Sequence, residues 1–520
     1  MKKKILIISL LILAGLVTTQ NVFADLPGSD WWSAIFMQNI GGDDETITMQ
    51  AYESATAGSV IGSDTFSFNY GQSLAYDPGV TPNYSSGGAY IGFVSPLTSG
   101  FEGSVVLSAS TPVAAISTIA NYANGSVGGG GGTAAARYQG AGSDALSNTL
   151  FMGKIKNNFS GHTTTVYAQA AGSDADITAT YRMNDGNVYT QDVTIEANRM
   201  FMFDPSAAGV PSTDCETDST ISRCYGSLTL ESTTGPIAAT IVEHPHTGSP
   251  TGFACSTRVQ TPSDTSTKIF HPAIKNEYNG IMNASAAVMN VGTGPALVQI
   301  TLTVTNVSPG SSAVIGEIYT DQMEIGAGES KVFSKFQDNL GDMPSGTYAA
   351  AVIESIDNAT YDPQQLISST NDRKVMSSLP GGYGLNLYSG YPDHKATNYL
   401  AAPTVLEHIG DLTGTLTMQN VGTAPARITY SYYEYGTDNV YRFATIDLIN
   451  VGQAINTNQV STKWEDKFYI VDGFTDFSEL DHKQFSVIAE SDQPFIGLVA
   501  EYNVYDERDI ANYEAINFTP

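Results

Sequence analysis

The chain has 520 residues, 52 of them Asp or Glu against 23 Lys or Arg, for a formal net charge of −29. Such acidity argues against nucleic acids and anionic lipid surfaces as partners, because both are recognised through Lys and Arg. With 42% hydrophobic and only 14% charged residues, the composition is that of a folding chain, since disorder requires low hydrophobicity together with high charge.

At the N-terminus Lys2, Lys3 and Lys4 precede an apolar run over residues 5–17, and Val22, Phe23 and Ala24 offer small residues where a signal peptidase reads. Residues 1–24 therefore read as a secretory signal peptide, and the mature chain is expected to start at Asp25. Its 496 residues carry 20 basic against 52 acidic groups, a charge of −32. No second apolar stretch reaches the ~18 residues that cross a bilayer, so a secreted protein of the cell surface without a transmembrane segment is expected.

One pattern recurs: a short apolar segment, an Asn or Gln beside a Gly, then alternating apolar and polar residues. It appears at Met37-Gln38-Asn39 with Ile47, Met49 and Ala51, and at Gln169-Ala170 with Ile177, Ala179 and Tyr181. It returns at Met289-Asn290 with Val298, Ile300 and Leu302, and at Gln419-Asn420 with Ile428, Tyr430 and Tyr432. Taking Asn39, Ala170, Asn290 and Asn420 as equivalent gives spacings of 131, 120 and 130 residues. Pro112, Pro236, Pro363 and Pro494 keep a similar beat, 124, 127 and 131. Repeats of one length imply tandem structural copies.

Within each copy the alternation is that of half-buried strands, and turn residues such as Asn184-Asp185-Gly186 and Ser308-Pro309-Gly310 break them. The reading is all-β, with four tandem Ig-like β-sandwich modules in an elongated array. Their expected bounds are 25–140, 141–262, 263–392 and 393–520. The Cys…Trp…Cys core of antibody domains is missing, so only the architecture is implied.

Several stretches resemble a family of secreted tandem-repeat, Ig-like β-sandwich surface proteins found in bacteria, notably Chloroflexota. They are Trp31-Trp32, Met37-Gln38-Asn39, residues 132–140, Lys156-Asn157-Asn158-Phe159-Ser160, Val242-Glu243-His244-Pro245 and Pro272-Ala273-Ile274-Lys275-Asn276. The resemblance implies repeated sandwich modules outside the cell and supplies no catalytic or ligand-binding residues. The fourth copy departs most, having no counterpart of Gly103, Gly226 and Gly346.

The chain contains no Gly-x-Ser-x-Gly elbow, His-Glu-x-x-His helix, phosphate loop or dinucleotide fingerprint. No catalytic residue and no cofactor are expected, and an enzyme is not. Glu243, His244 and His246 form the most ligand-like cluster, with two imidazoles and a carboxylate of the kind zinc or copper takes; the bland account is a strand end. Asp472, Asp476, Glu479 and Asp481 offer hard oxygens suited to calcium, as do Asp43-Asp44-Glu45 and Asp506-Glu507 with Asp509, against the plainer reading of solvated loop charge. Of the three cysteines, Cys215 and Cys224 close a short loop suited to a disulfide, leaving Cys255. Trp31-Trp32 and Tyr430, Tyr432, Tyr433 and Tyr435 raise a glycan-binding platform as the alternative to ordinary packing.

These features point to a non-enzymatic extracellular structural or adhesive protein, a component of a surface layer, sheath, fibre or stalk. Its partners would be further copies of itself or other surface proteins. The alternative is a glycan- or cell-wall-binding adhesin, and the third reading is a secreted polysaccharide hydrolase. Spread over four modules, −32 is about −8 apiece, ordinary for a soluble extracellular domain.

Overall fold

A computed structural model describes residues 31–43, 45–54, 60–76, 90–91, 97, 101–121, 135–215, 222–246, 254–375, 383–409, 412–457, 464–503 and 510–520. Residues 1–24, read above as a signal peptide, residues 25–30, Asp44, the glycines at 128–132 and the acidic residues 506, 507 and 509 lie outside them. Among the described residues all helices are short 3-10 turns and everything else regular is strand.

The second module shows the repeating plan whole. Its eight strands are Thr149–Lys156, His162–Ala170, Ala175–Met183, Val188–Ile195, Met200–Phe203, Tyr225–Ser232, Ile237–Pro245 and Cys255–Arg258. In order of pairing, one sheet is fourth–third–sixth–first and the other is fifth–second–seventh–eighth. This order differs from the ABED and CFG sheets of an immunoglobulin domain, so the likeness is one of architecture. The third module, from Lys268–Asn276 to Tyr383–Ser389, repeats the plan and adds Tyr391–Pro392 beside its first strand.

The alternating residues of the sequence pattern are the inward face of every third strand. Ile47, Met49, Ala51, Ile177, Ala179, Tyr181, Val298, Ile300, Leu302, Ile428, Tyr430 and Tyr432 are all buried, as period-two patterning requires when one face is dry. Asn39, Ala170, Asn290 and Asn420 close the four second strands, and each carbonyl accepts the amide of a left-handed turn residue: Gly71, Asn198, Gly328 and Gly452. Pro112, Pro236 and Pro494 stand immediately before the seventh-strand stretch in their modules. Their carbonyls accept the amides of Ile40, Ala171 and Val421, whereas Gln365 takes that role in the third module. Pro363 is therefore displaced from the position its spacing suggested.

The fourth module departs from the plan as its sequence does. Its sixth and seventh strands run on as one strand, Lys483–Asn503, which fuses both sheets into a nine-stranded one. Phe468–Asp472 is added beside the fourth strand, Val440–Thr445. An aromatic cluster fills the resulting core, with Phe443 stacked on Tyr430 at 5.0 Å and edge-on to Trp464 at 5.1 Å.

The elongated row expected from short joints gives way to a closed ring. The four eighth strands, Ala135–Gln139, Cys255–Arg258, Tyr383–Ser389 and Ile510–Glu514, touch one another in cyclic order, the last against the first. The first strands of modules two, three and four each pack sideways on the second strand of the following module, the fourth module reaching Trp31–Asn39 of the first. Every seam includes apolar contacts. Leu385 and Leu387 of module three enter the core of module two, Tyr348 and Tyr388 cluster with Leu498, Phe36 and Ile116 join Leu400, and Ala136 meets Val242. Fully burying one such side chain is worth roughly 1.5–3 kcal/mol, so a row exposing these faces is disfavoured against the ring.

Candidate functional site

The residues that the sequence flags as ligands are occupied with the protein itself. Glu243, on the seventh strand of module two, is 1% exposed and lies 2.6 Å from Lys156 Nζ and 3.5 Å from Lys154 Nζ, both on the first strand. Burial alone would raise its carboxyl, but the two ammonium groups outweigh it and hold the carboxyl well below its usual range. The same burial pushes Lys154 down to about 8. His244 Nδ1 lies 2.9 Å from the Pro245 carbonyl and His246 Nδ1 lies 2.7 Å from Thr163 Oγ1. The neighbouring His162, pushed down to about 4 by burial, completes a group that is neutral at neutral pH apart from the ion triad.

The acidic loop of the fourth module is likewise built into the chain. Asp476 caps the turn Phe477–Leu480 by accepting the Ser478 amide at 2.8 Å, and Glu479 accepts the amides of Thr475 and Asp476 in return. Asp472 lies 3.3 Å from Arg442, and Asp481 2.9 Å from His408 Nδ1. Among the described residues no group of three or more His, Cys, Asp or Glu is placed to hold a metal ion. Cys215 and Cys224 are joined in a disulfide, with Cα atoms 5.5 Å apart, and Cys255 is free and buried. Tyr430, Tyr432 and Tyr435 are buried, so their rings present no stacking platform.

What the sequence did not reveal is a set of buried charges, some within modules and some at the seams. Lys275 pairs with Asp372 in module three as Lys156 pairs with Glu243 in module two, first strand to seventh. In module four the seventh-strand acid, Glu501, is met from outside, by Arg137 of module one at 2.5 Å. Asp264, at the joint of modules two and three, receives both arms of Arg258 at 2.7 and 2.8 Å and also Lys395 from the next joint at 2.6 Å. Glu514 accepts the Thr257 hydroxyl at 2.6 Å and the Ser389 amide, tying modules two, three and four.

Serines of the sixth strand stitch neighbouring modules together. Ser104 Oγ donates to the Asn198 carbonyl at 3.1 Å, Ser227 Oγ to Gly328 at 3.2 Å and Ser486 Oγ to Gly71 at 2.7 Å. Each acceptor is the left-handed turn residue of the following module. At the remaining seam the direction reverses, the Gln419 amide reaching the Ala351 carbonyl at 3.5 Å. The Lys-Asn pairs at 156–157 and 275–276 were visible in the sequence; which acid each lysine meets depends on the sheet order.

The fold and this set of contacts define an all-β protein of tandem sandwich modules. No family model matches the chain, and no curated protein does. Among solved structures the chain is similar to one described as a tetra-tandem repeat in the extending region of a large adhesion protein. The identity is 10%, covering 93% of this chain and 94% of that one, with a TM-score of 0.10. No described helix is long and apolar enough to cross a membrane.

Proposed function

We propose that the protein is a non-enzymatic structural or adhesive component of the extracellular surface, released by its signal peptide and acting through its folded modules. The observation that carries this reading is the use of its buried charges. Glu243, Asp372, Glu501, Asp264 and Glu514 are each engaged by the lysines, arginine, hydroxyls or amides of neighbouring strands and modules. These five carboxylates are committed to holding strands and modules together, and a rigid multi-module body suits a load-bearing or presenting role.

The test compares three assays on the mature chain recovered from the medium. Electron microscopy and light scattering report assembly, a pull-down reports binding to cell walls and polysaccharides, and a polysaccharide panel reports turnover. Ordered assemblies or surface attachment without turnover are expected. Reproducible hydrolysis, abolished by a single carboxylate substitution, would overturn the proposal.

A further inference from the structure

Modules two, three and four each have a first strand, paired antiparallel with the sixth: Thr149–Lys156, Lys268–Asn276 and Thr397–Glu407. In module one the sheet containing the sixth strand, Gly103–Ala109, has three strands among the described residues, fourth–third–sixth. No described segment occupies the first-strand position. The consequence shows in burial. Val105 and Leu107 are opposite Ala51 and Met49, the place held by Leu228 and Leu230, Ala351 and Ile353, and Val487 and Ala489 in the other modules. Those six are at most 2% exposed, whereas Val105 and Leu107 are half-buried.

Counting along the chain shows what is left to fill the gap. First and second strands are separated by five, five and four residues in modules two to four. The second strand of module one begins at Trp31. By that spacing a first strand of its own would end at Asp25 or Leu26 and fall almost wholly within residues 1–24. Once the signal peptide is removed, residues 25–30 are enough for the connection only.

We propose that module one of the mature protein is a strand acceptor: an extended strand from a different polypeptide adds antiparallel to Gly103–Ala109 and completes the sandwich. Main-chain hydrogen bonds supply the affinity in such augmentation, and alternate side chains supply the specificity. The three resident first strands define the chemistry of the incoming one. It carries apolar residues on its inner face, as Leu150, Met152 and Ile155 do. At mid-strand it crosses the next module, as Gly153 does beside Met289. A second copy is not the donor, because all three of its described strands of this kind are seated in their own modules. The proposal rests on removal of residues 1–24, which the intact mass of the secreted chain reads separately.

The probe is a synthetic peptide of residues 149–156, added to the mature chain. Saturable one-to-one binding is expected, with at least tenfold slower hydrogen exchange at residues 103–109. A peptide with Leu150, Met152 and Ile155 replaced by Asp is expected not to bind. Absence of binding, or binding without protection of 103–109, overturns the proposal. So does protection of 103–109 before any peptide is added, which would mean that the chain covers its own edge. Self-association of the mature chain that the peptide competes away would place a second copy in the groove and equally overturn it.

Discussion

Asn198 Oδ1 accepts the backbone amide of Gly172 at 2.9 Å, the bond that Asn290 Oδ1 makes to Gly292 at the same distance in the next module. The asparagine has changed places. In modules one, three and four it closes the second strand as Asn39, Asn290 and Asn420, opposite a left-handed glycine. In module two that strand ends in Ala170, and the left-handed residue itself is the asparagine, at φ 62°. Asparagine tolerates that conformation because its short polar side chain bonds locally.

Asn198→Gly is therefore expected to cost about 1 kcal/mol, the worth of one hydrogen bond, and Ala170→Asn in the same chain to restore it. Asn290→Ala should cost more, about 2–4 kcal/mol, because it also strips the carbonyls of Gly294 and Ile325, the latter buried. Denaturant unfolding of the three variants beside the natural chain checks the order. Equal losses for N198G with and without A170N would show that the two positions do not exchange roles.

The repeat was legible because its markers lie within single modules. The third-strand alternation and the turn-closing asparagines depend on contacts local to one sandwich, and a pattern of period two reports them directly. Glu243 shows the limit. Its type and neighbours suggested a ligand, but its partners Lys154 and Lys156 are 87 or more residues away and face it only once the first and seventh strands are adjacent. The ring was hidden for the same reason. Nothing in the short joints states on which side a first strand packs, and the contact of Arg137 with Glu501 spans the whole array. That no described segment fills the first-strand place of module one is not legible in a repeat whose markers begin at the second strand.

Arg137 and Glu501 close the ring, so removing one partner leaves a buried charge exposed to no solvent and no counter-ion. Burial already raises the Glu501 carboxyl against the pull of Arg137. Arg137→Ala is expected to destabilise by about 3–5 kcal/mol and to enlarge the radius of gyration measured by small-angle scattering, with strand content by circular dichroism unchanged. Arg137→Met combined with Glu501→Leu should recover most of the loss, since an apolar pair of similar volume avoids the desolvation cost. An unchanged radius and melting temperature in R137A would show that this contact does not hold modules one and four together.

His271 makes folding sensitive to acid. The ring is fully buried between Ser368 Oγ at 2.9 Å and Thr370 Oγ1 at 2.8 Å, and burial pushes its pKa down to about 3. The unfolded chain takes up a proton near 6.5 and the folded chain does not, so the stabilisation is complete above pH 6.5 and is lost as pH falls toward 3. Between pH 6.5 and 5 the loss from this group is about 2 kcal/mol, at 1.36 kcal/mol per unit. His271→Gln retains donor and acceptor groups, and its stability should fall less over that range by the same amount. Parallel pH profiles for the two proteins would exclude His271 as the source.

Glu407 predicts a slope of the opposite sign. It ends the first strand of module four, at the position Asn276 holds in module three, and it is 1% exposed with no hydrogen-bond partner at Oε1. Burial, with a smaller contribution from Asp481, raises its pKa well above the usual value. A folded pKa above the unfolded 4.5 favours folding fully below pH 4.5 and loses that advantage as pH rises toward the folded value. Glu407→Gln removes the titration while keeping the shape. The stability of the variant relative to the natural chain should therefore increase by about 1.4 kcal/mol for each pH unit above 4.5, until the folded carboxyl ionises. Chemical denaturation at pH 4.5, 6 and 7.5 measures the divergence, and a constant difference across the three would mean that Glu407 is already ionised in the fold.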